Sequence, residues 1–245
     1  MKTKRKTRTR AKSKARSKAQ SKARTKAKAT PARVKVTPSL RKRALDIIDG
    51  LEKQHPDAHC ELDFTSGLEL LVATILAAQC TDKRVNIVTR DLFAKYHTAQ
   101  DYVETPAEVL EEEIRSTGFY RNKTRSIKKA CQSLVEKFDG EVPDNMEELL
   151  ALAGVGRKTA NVILANVFNV PGIVVDTHML RITRRMGLTV NTDAAKVERD
   201  IMEIFPDTTW ISLSHRIPWH GRRVCSARKP LCDQCGAAHA CPKLI

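Results

Sequence analysis

Lys158 and Asp176 are the residues of this 245-residue chain whose types and spacing best suit covalent chemistry. An uncharged amine is a nucleophile, and a carboxylate steadies a neighbouring cation or takes up a proton. Eighteen positions separate the two. Lys158 follows the turn Gly154-Val155-Gly156 and the basic residue Arg157, at the start of a helical pattern that runs through Phe168. A cation is poorly placed at the positive end of a helix, which favours the neutral amine. Asp176 closes the apolar run Ile173-Val174-Val175 and precedes Thr177-His178. Each has a plainer use: Lys158 as a solvated or phosphate-binding lysine, Asp176 as a helix N-cap. A cap can also be a catalyst.

The glycine turn beside Lys158 offers a grip for an anion. Glycines at 154 and 156 allow positive φ without steric cost. Successive N–H groups in such a turn form a nest, and the helix that follows adds the positive end of its dipole. The spacing is too short for a nucleotide-binding P-loop, which is rejected. A plain corner between two helices is the alternative reading of the turn.

A second constellation lies at the C-terminus. Cys225, Cys232, Cys235 and Cys241 fall within 17 residues and include a Cys-x-x-Cys. This is a metal-ligand pattern. Disulfides suit it poorly, since no secretory signal stands at the N-terminus. Four thiolates serve zinc or an iron–sulfur cluster, and spacing alone puts zinc ahead. Arg228 and Lys229 lie between the first two cysteines, on a loop that a metal would pin at both ends. Cys60, Cys80 and Cys131 stand apart and read as small core residues.

The elements that must position these residues are helices. Thr37-Pro38 opens one, with Leu40, Ala44, Ile47, Ile48 and Leu51 on one face. Residues 66–79 read as a buried helix, and Thr81 caps the next, with Val85, Val88, Leu92 and Phe93 inward. Thr105-Pro106-Ala107-Glu108 has the form of a capping box. Further helices are expected over about residues 123–138, ending at Gly140, and 146–152. After Asp176 come one containing Leu180 and Ile182, one capped by Thr192 and one near Ile211. Alternating β-branched runs are few, so the chain reads as all-α. No run of about 18 apolar residues is present, and no membrane partner is expected.

The net charge of +16 is a property of the N-terminus. Residues 1–36 hold 16 of the 44 Lys and Arg and none of the 28 Asp and Glu; the rest of the chain balances at zero. The stretch repeats Lys or Arg with Ala, Ser and Thr and has no aromatic residue, so it is expected to be a disordered tail. Such an arm holds polyanions by counterion release. A solubilising tail, a nuclear localisation signal and a transit peptide are the alternatives; a nucleic-acid tether is favoured.

Leu-x-Gly-Val-Gly-Arg-Lys-Thr-Ala, Val-Asp-Thr-His and the terminal Cys-x6-Cys-x2-Cys-x5-Cys, in that order, resemble the endonuclease III family of helix–hairpin–helix DNA glycosylases. The likeness covers about residues 38–245. It implies two helical domains flanking a DNA cleft. One, residues 61–171, is a six-helix domain with the hairpin. The other joins residues 37–60 to 172–245 and carries a [4Fe–4S] cluster on the four cysteines, which moves the metal from zinc to iron–sulfur. By resemblance Lys158 is the nucleophile and Asp176 the catalytic carboxylate. Gly154, Val155 and Gly156 hold the DNA backbone, with Arg157, His178, Arg228 and Lys229 as further DNA contacts. Gln79 and Phe119 fill the gap left by an extruded nucleotide. The implied activity is removal of oxidised pyrimidines with abasic-site lyase cleavage, by a monomer acting on damaged double-stranded DNA. The implied location is the cytoplasm and nucleoid of a bacterium, or the nucleus or mitochondrion of a eukaryote.

Three positions depart from the family pattern. Ala153 stands where proline is frequent, and Phe119 where a leucine wedge is common. Pro218 is expected to break the helix that leads to the cysteines.

Overall fold

Short polar side chains start the helices. Thr37 accepts the Leu40 N–H at 3.1 Å and opens α1, Pro38–Gln54, with proline in the first turn. Ser66 caps α2, Gly67–Leu76, and Thr81 caps α3, Asp82–Phe93. The computed structural model describes residues 34–244, and among them the chain forms eleven α-helices, three short 3-10 turns and no strand. The expected basic tail falls almost wholly outside the described residues; Val34 and Val36, at its end, already pack on the fold. No helix among the described residues is long and apolar enough to cross a membrane.

Several boundaries differ from the expectation, each for a local reason. Helix α2 stops at Leu76 rather than Gln79, because Gln79 turns left-handed at φ 55°. Helix α4, Ala99–Glu104, was not read from the sequence, although Thr98 and Asp101 form a full capping box there. The box expected at Thr105–Glu108 does not form. The Thr105 hydroxyl instead donates to the Asp101 carbonyl at the end of α4, and α5, Ala107–Glu113, starts at Pro106 without a side-chain cap. Helix α6, Tyr120–Lys137, begins directly after Phe119 and ends at the positive-φ Gly140, whose N–H reaches the Leu134 carbonyl. Helix α7 is Met146–Ala151, α8 Arg157–Val167 and α9 Thr177–Arg185. Asp193, not Thr192, caps α10, Ala194–Ile204. Helix α11, Trp210–Arg223, runs through Pro218 unbroken. Buried Leu213 and Ile217 before the missing N–H, and buried His220 and Gly221 after it, hold the helix in place, so packing outweighs one lost hydrogen bond.

Two hydrophobic cores result. The first joins Leu70, Leu71 and Leu76 of α2 to Ile127 and Leu134 of α6, Leu149 of α7 and Ile163 of α8. The second takes Ala44, Ile47 and Leu51 from α1 and packs them on Ile173, Met179 and Ile182, Ile201 of α10, and Leu213 and Ile217 of α11. Each of these Leu, Ile and Met side chains contributes about 1.5–3 kcal/mol by leaving water. The N-terminal helix and the cysteine-bearing end meet backbone to backbone: a Cβ on Gly50 would overlap the Gly236 carbonyl, and one on Gly236 the Gly50 carbonyl.

Candidate active site

The turn between α7 and α8 uses its two glycines differently. Gly154 takes φ +81°, and a Cβ there would lie 2.8 Å from the Ser126 Cβ of α6, so this position needs glycine twice over. Gly156 does not take positive φ; it is extended, and nothing lies within 4 Å of where its Cβ would be. Its use is an open face. It stands at the N-cap of α8 without a capping side chain, leaving the first-turn N–H groups accessible to an outside acceptor. Val155 is buried in the first core, so only its backbone can face a ligand.

Lys158 is the second residue of α8 and is exposed; Asp176 is the N-cap of α9 and half-buried, its Oδ1 accepting the Met179 N–H at 2.7 Å. Both line a cavity of about 310 Å³ whose wall also includes Gln79, Asp82, Val174, His215, Trp219 and Arg222. The aspartate is therefore cap and cavity-lining carboxylate at once. Arg222 crosses the cavity wall, reaching Glu61 and, at 2.8 Å, Asp82. Trp219 donates to the His59 carbonyl at 2.9 Å, with Arg223 stacked 3.9 Å above its ring. Burial lowers the pKa of His215, helped by the positive neighbours His59 and Arg216. His59, Glu61, Asp82, His215, Trp219 and Arg222 were not singled out as site residues; they lie on separated segments that no local pattern connects.

The remaining positions named from the sequence divide. Gln79 and Phe119 are exposed, Phe119 by 61%, and both hold left-handed backbone, φ 55° and 49°. A non-glycine residue in this region is strained by on the order of 1–3 kcal/mol. Arg228 and Lys229 are exposed on the loop between Cys225 and Cys232. Arg157 has an internal partner: its guanidinium binds the Glu198 carboxylate of α10 through two contacts, 2.7 and 2.8 Å. His178 turns to the α11 side, its ring against Gly221 and its Nδ1 3.2 Å from Arg181, and burial lowers its pKa. The structure thus brings Lys158, Asp176 and Gln79 to one cavity and leaves Arg157 and His178 facing protein partners.

Cys225, Cys232, Cys235 and Cys241 are all half-buried, unpaired thiols around a second cavity, together with Arg185 and His220. Among the described residues, no three Cys, His, Asp or Glu converge on a position for a single metal ion. Four thiols lining one cavity are a donor set that zinc or an iron–sulfur cluster accepts. The surroundings suit an electron-rich cluster, since the Arg185 guanidinium lies 3.5 Å from the Cys225 sulfur and His220 3.5 Å from that of Cys235. Of the other cysteines, Cys131 is buried in the first core, where burial pushes its thiol pKa up to about 12; Cys60 and Cys80 pack at the edge of that core.

An all-helical fold with a hairpin, a lysine and an aspartate on one cavity, and four cysteines on another defines a class, and comparison with known proteins agrees. Residues 72–207 match the HhH-GPD superfamily base excision DNA repair protein family. The chain belongs to this family. It is similar to endonuclease III of Synechocystis sp., 52% identical over 205 residues, covering 83% of this chain and 94% of the relative. Endonuclease III of Bacillus subtilis is 42% identical over 195 residues, covering 79% and 89%. Among solved structures, a trapped endonuclease III–DNA covalent intermediate with an estranged adenine superposes with a TM-score of 0.80 at 44% identity, covering 85% of this chain and 97% of that one.

Proposed function

We propose that this protein is a bifunctional DNA glycosylase and abasic-site lyase of base excision repair, acting on oxidised pyrimidines in duplex DNA. The observation that carries the reading is the shared cavity of Lys158 and Asp176 beside the open N-terminus of α8. A damaged base must leave the stack to be reached. The Lys158 Nζ lone pair forms a bond to C1′ of the extruded nucleotide, and the C1′–base bond breaks with its electron pair leaving on the base. Asp176 stabilises the positive charge that develops on the sugar and takes the ammonium proton. The C1′–O4′ bond then breaks with its electron pair on O4′, which takes back the proton from Asp176, and the nitrogen lone pair closes a protonated imine between Nζ and C1′. Loss of a C2′ proton then expels the 3′ phosphate and cuts the strand. Cys225, Cys232, Cys235 and Cys241 would hold a [4Fe–4S] cluster, whose contribution is to pin the loop that carries Arg228 and Lys229. Those two cations, with the α8 N-terminus, would meet the DNA backbone.

Borohydride trapping on abasic duplex tests the reading. A covalent adduct is expected, lost in Lys158→Ala; an undiminished adduct in that variant removes Lys158 from its role, and binding without any cleavage overturns the enzyme assignment. A lesion panel with thymine glycol and thymine dimer separates oxidised bases from ultraviolet products. Iron analysis with a visible charge-transfer band tests the cluster, and one zinc per chain without iron would refute it.

A further inference from the structure

Two of the five non-glycine residues with left-handed backbone among the described residues, Gln79 and Phe119, lie 40 positions apart in sequence and are tied to one buried side chain. Lys123 of α6 is only 4% exposed. Its ammonium donates at 2.8 Å to the Leu76 carbonyl, at the end of α2, and at 2.8 Å to the Thr117 carbonyl, at the end of the 3-10 turn Arg115–Thr117. Gln79 follows the first carbonyl by three residues and Phe119 follows the second by two. The Lys123 backbone N–H also binds the Phe119 carbonyl at 3.1 Å. Burying an ammonium is costly, and a methionine would fill the same space without that cost. What the ammonium adds is direction: it fixes two helix-end carbonyls on one nitrogen, which an apolar chain cannot do. Strained positions persist only where the surroundings over-determine them, and here one residue holds both.

We propose that Lys123 is a positioning residue that couples Gln79 and Phe119, so that the two side chains enter the vacated space in the duplex as one unit. This rests on the reading of Gln79 and Phe119 as gap-fillers. Single-stranded abasic DNA supplies a comparison, because it has no paired stack to invade. The test is the ratio of kcat/KM on duplex to that on single-stranded abasic substrate, measured on the full chain for Lys123→Met, Phe119→Ala and Gln79→Ala.

The ratio is expected to fall roughly tenfold or more in Lys123→Met, the scale of loss for a misplaced group. Phe119→Ala should lower it similarly, and the double variant should fall little further than Phe119→Ala alone, as expected for residues acting together. Lys123→Gln, which keeps two N–H donors, should fall between wild type and Met, and it decides the question if the Met variant does not fold. An unchanged ratio in the Lys123 variants, with Phe119→Ala and Gln79→Ala impaired, overturns the coupling and leaves the gap-filling reading standing. A normal ratio in Phe119→Ala and Gln79→Ala removes the gap-filling reading, and the coupling with it.

Discussion

Arg157 and Glu198 form a two-pronged ion pair that fastens the first turn of α8 to α10. One helical turn on, Asn161 donates both to that carboxylate, at 3.2 Å, and to the Ile173 carbonyl, at 2.9 Å. Lys158 sits beside Arg157, and Asp176 lies three residues past Ile173. The network therefore sets the amine's helix against the segment that delivers the carboxylate.

Breaking the pair from either side should not be equivalent. The Glu198 side chain is 5% exposed, whereas that of Arg157 is 53% exposed. Arg157→Ala leaves the buried carboxylate with Asn161 but no cation, so it should cost more stability than Glu198→Gln, roughly 2–3 kcal/mol against about 1. Urea unfolding of the two variants checks the order. Both should also slow single-turnover cleavage, by about tenfold, through the loosened position of Lys158.

Asp176 offers a clean separation of cap from catalyst. Asparagine caps a helix about as well as aspartate. Asp176→Asn should therefore keep stability within about 0.5 kcal/mol while lowering turnover by on the order of a hundredfold or more. Asp176→Ala should lose about 1 kcal/mol as well. A fully active Asp176→Asn enzyme would leave the residue as a cap alone.

Acid should weaken the fold through its buried histidines. Burial, then the charges of His59 and Arg216, lowers the pKa of His215 below the ordinary 6.5. Below about pH 6.5 the unfolded chain takes up a proton that the folded chain refuses. The stabilisation is complete above that value and is lost as pH falls towards the folded pKa, at no more than about 1.4 kcal/mol per pH unit for one group. His215→Gln should flatten the fall in stability below about pH 6.5 in part only, since His55, His178 and His220 are shifted the same way. An identical curve in the variant would exclude His215 from the acid limb.

Truncation tests the basic N-terminus. Because Val34 and Val36 pack on the second core, the cut belongs before them. Deleting residues 1–32 should weaken DNA affinity and reduce the slope of log K against log salt, leaving single-turnover excision nearly unaltered. An unchanged slope would show that the segment does not touch DNA.

What could be read in advance followed the range of the interaction. Thr37, Ser66 and Thr81 act on N–H groups three residues away, so their helix starts were legible. Thr105 had the right local form but a stronger claim on its hydroxyl from the end of α4, itself overlooked. The roles of Arg157 and Lys123 could not be seen at all. Their partners, Glu198 and the Leu76 carbonyl, are 41 and 47 positions away. The lysine, the aspartate and the cysteines were visible because short motifs carry them; the cavity wall of Glu61, Asp82 and Arg222 was not, because only folding assembles it.

The contact of Gly50 with Gly236 has a consequence for biosynthesis. Translation delivers the N-terminal end first, yet the surface on which α1 rests begins only at Ile173 and is completed at Ala237. The first core can close during elongation, whereas the second must wait for chain release. A prematurely terminated chain would leave the apolar face of α1 bare.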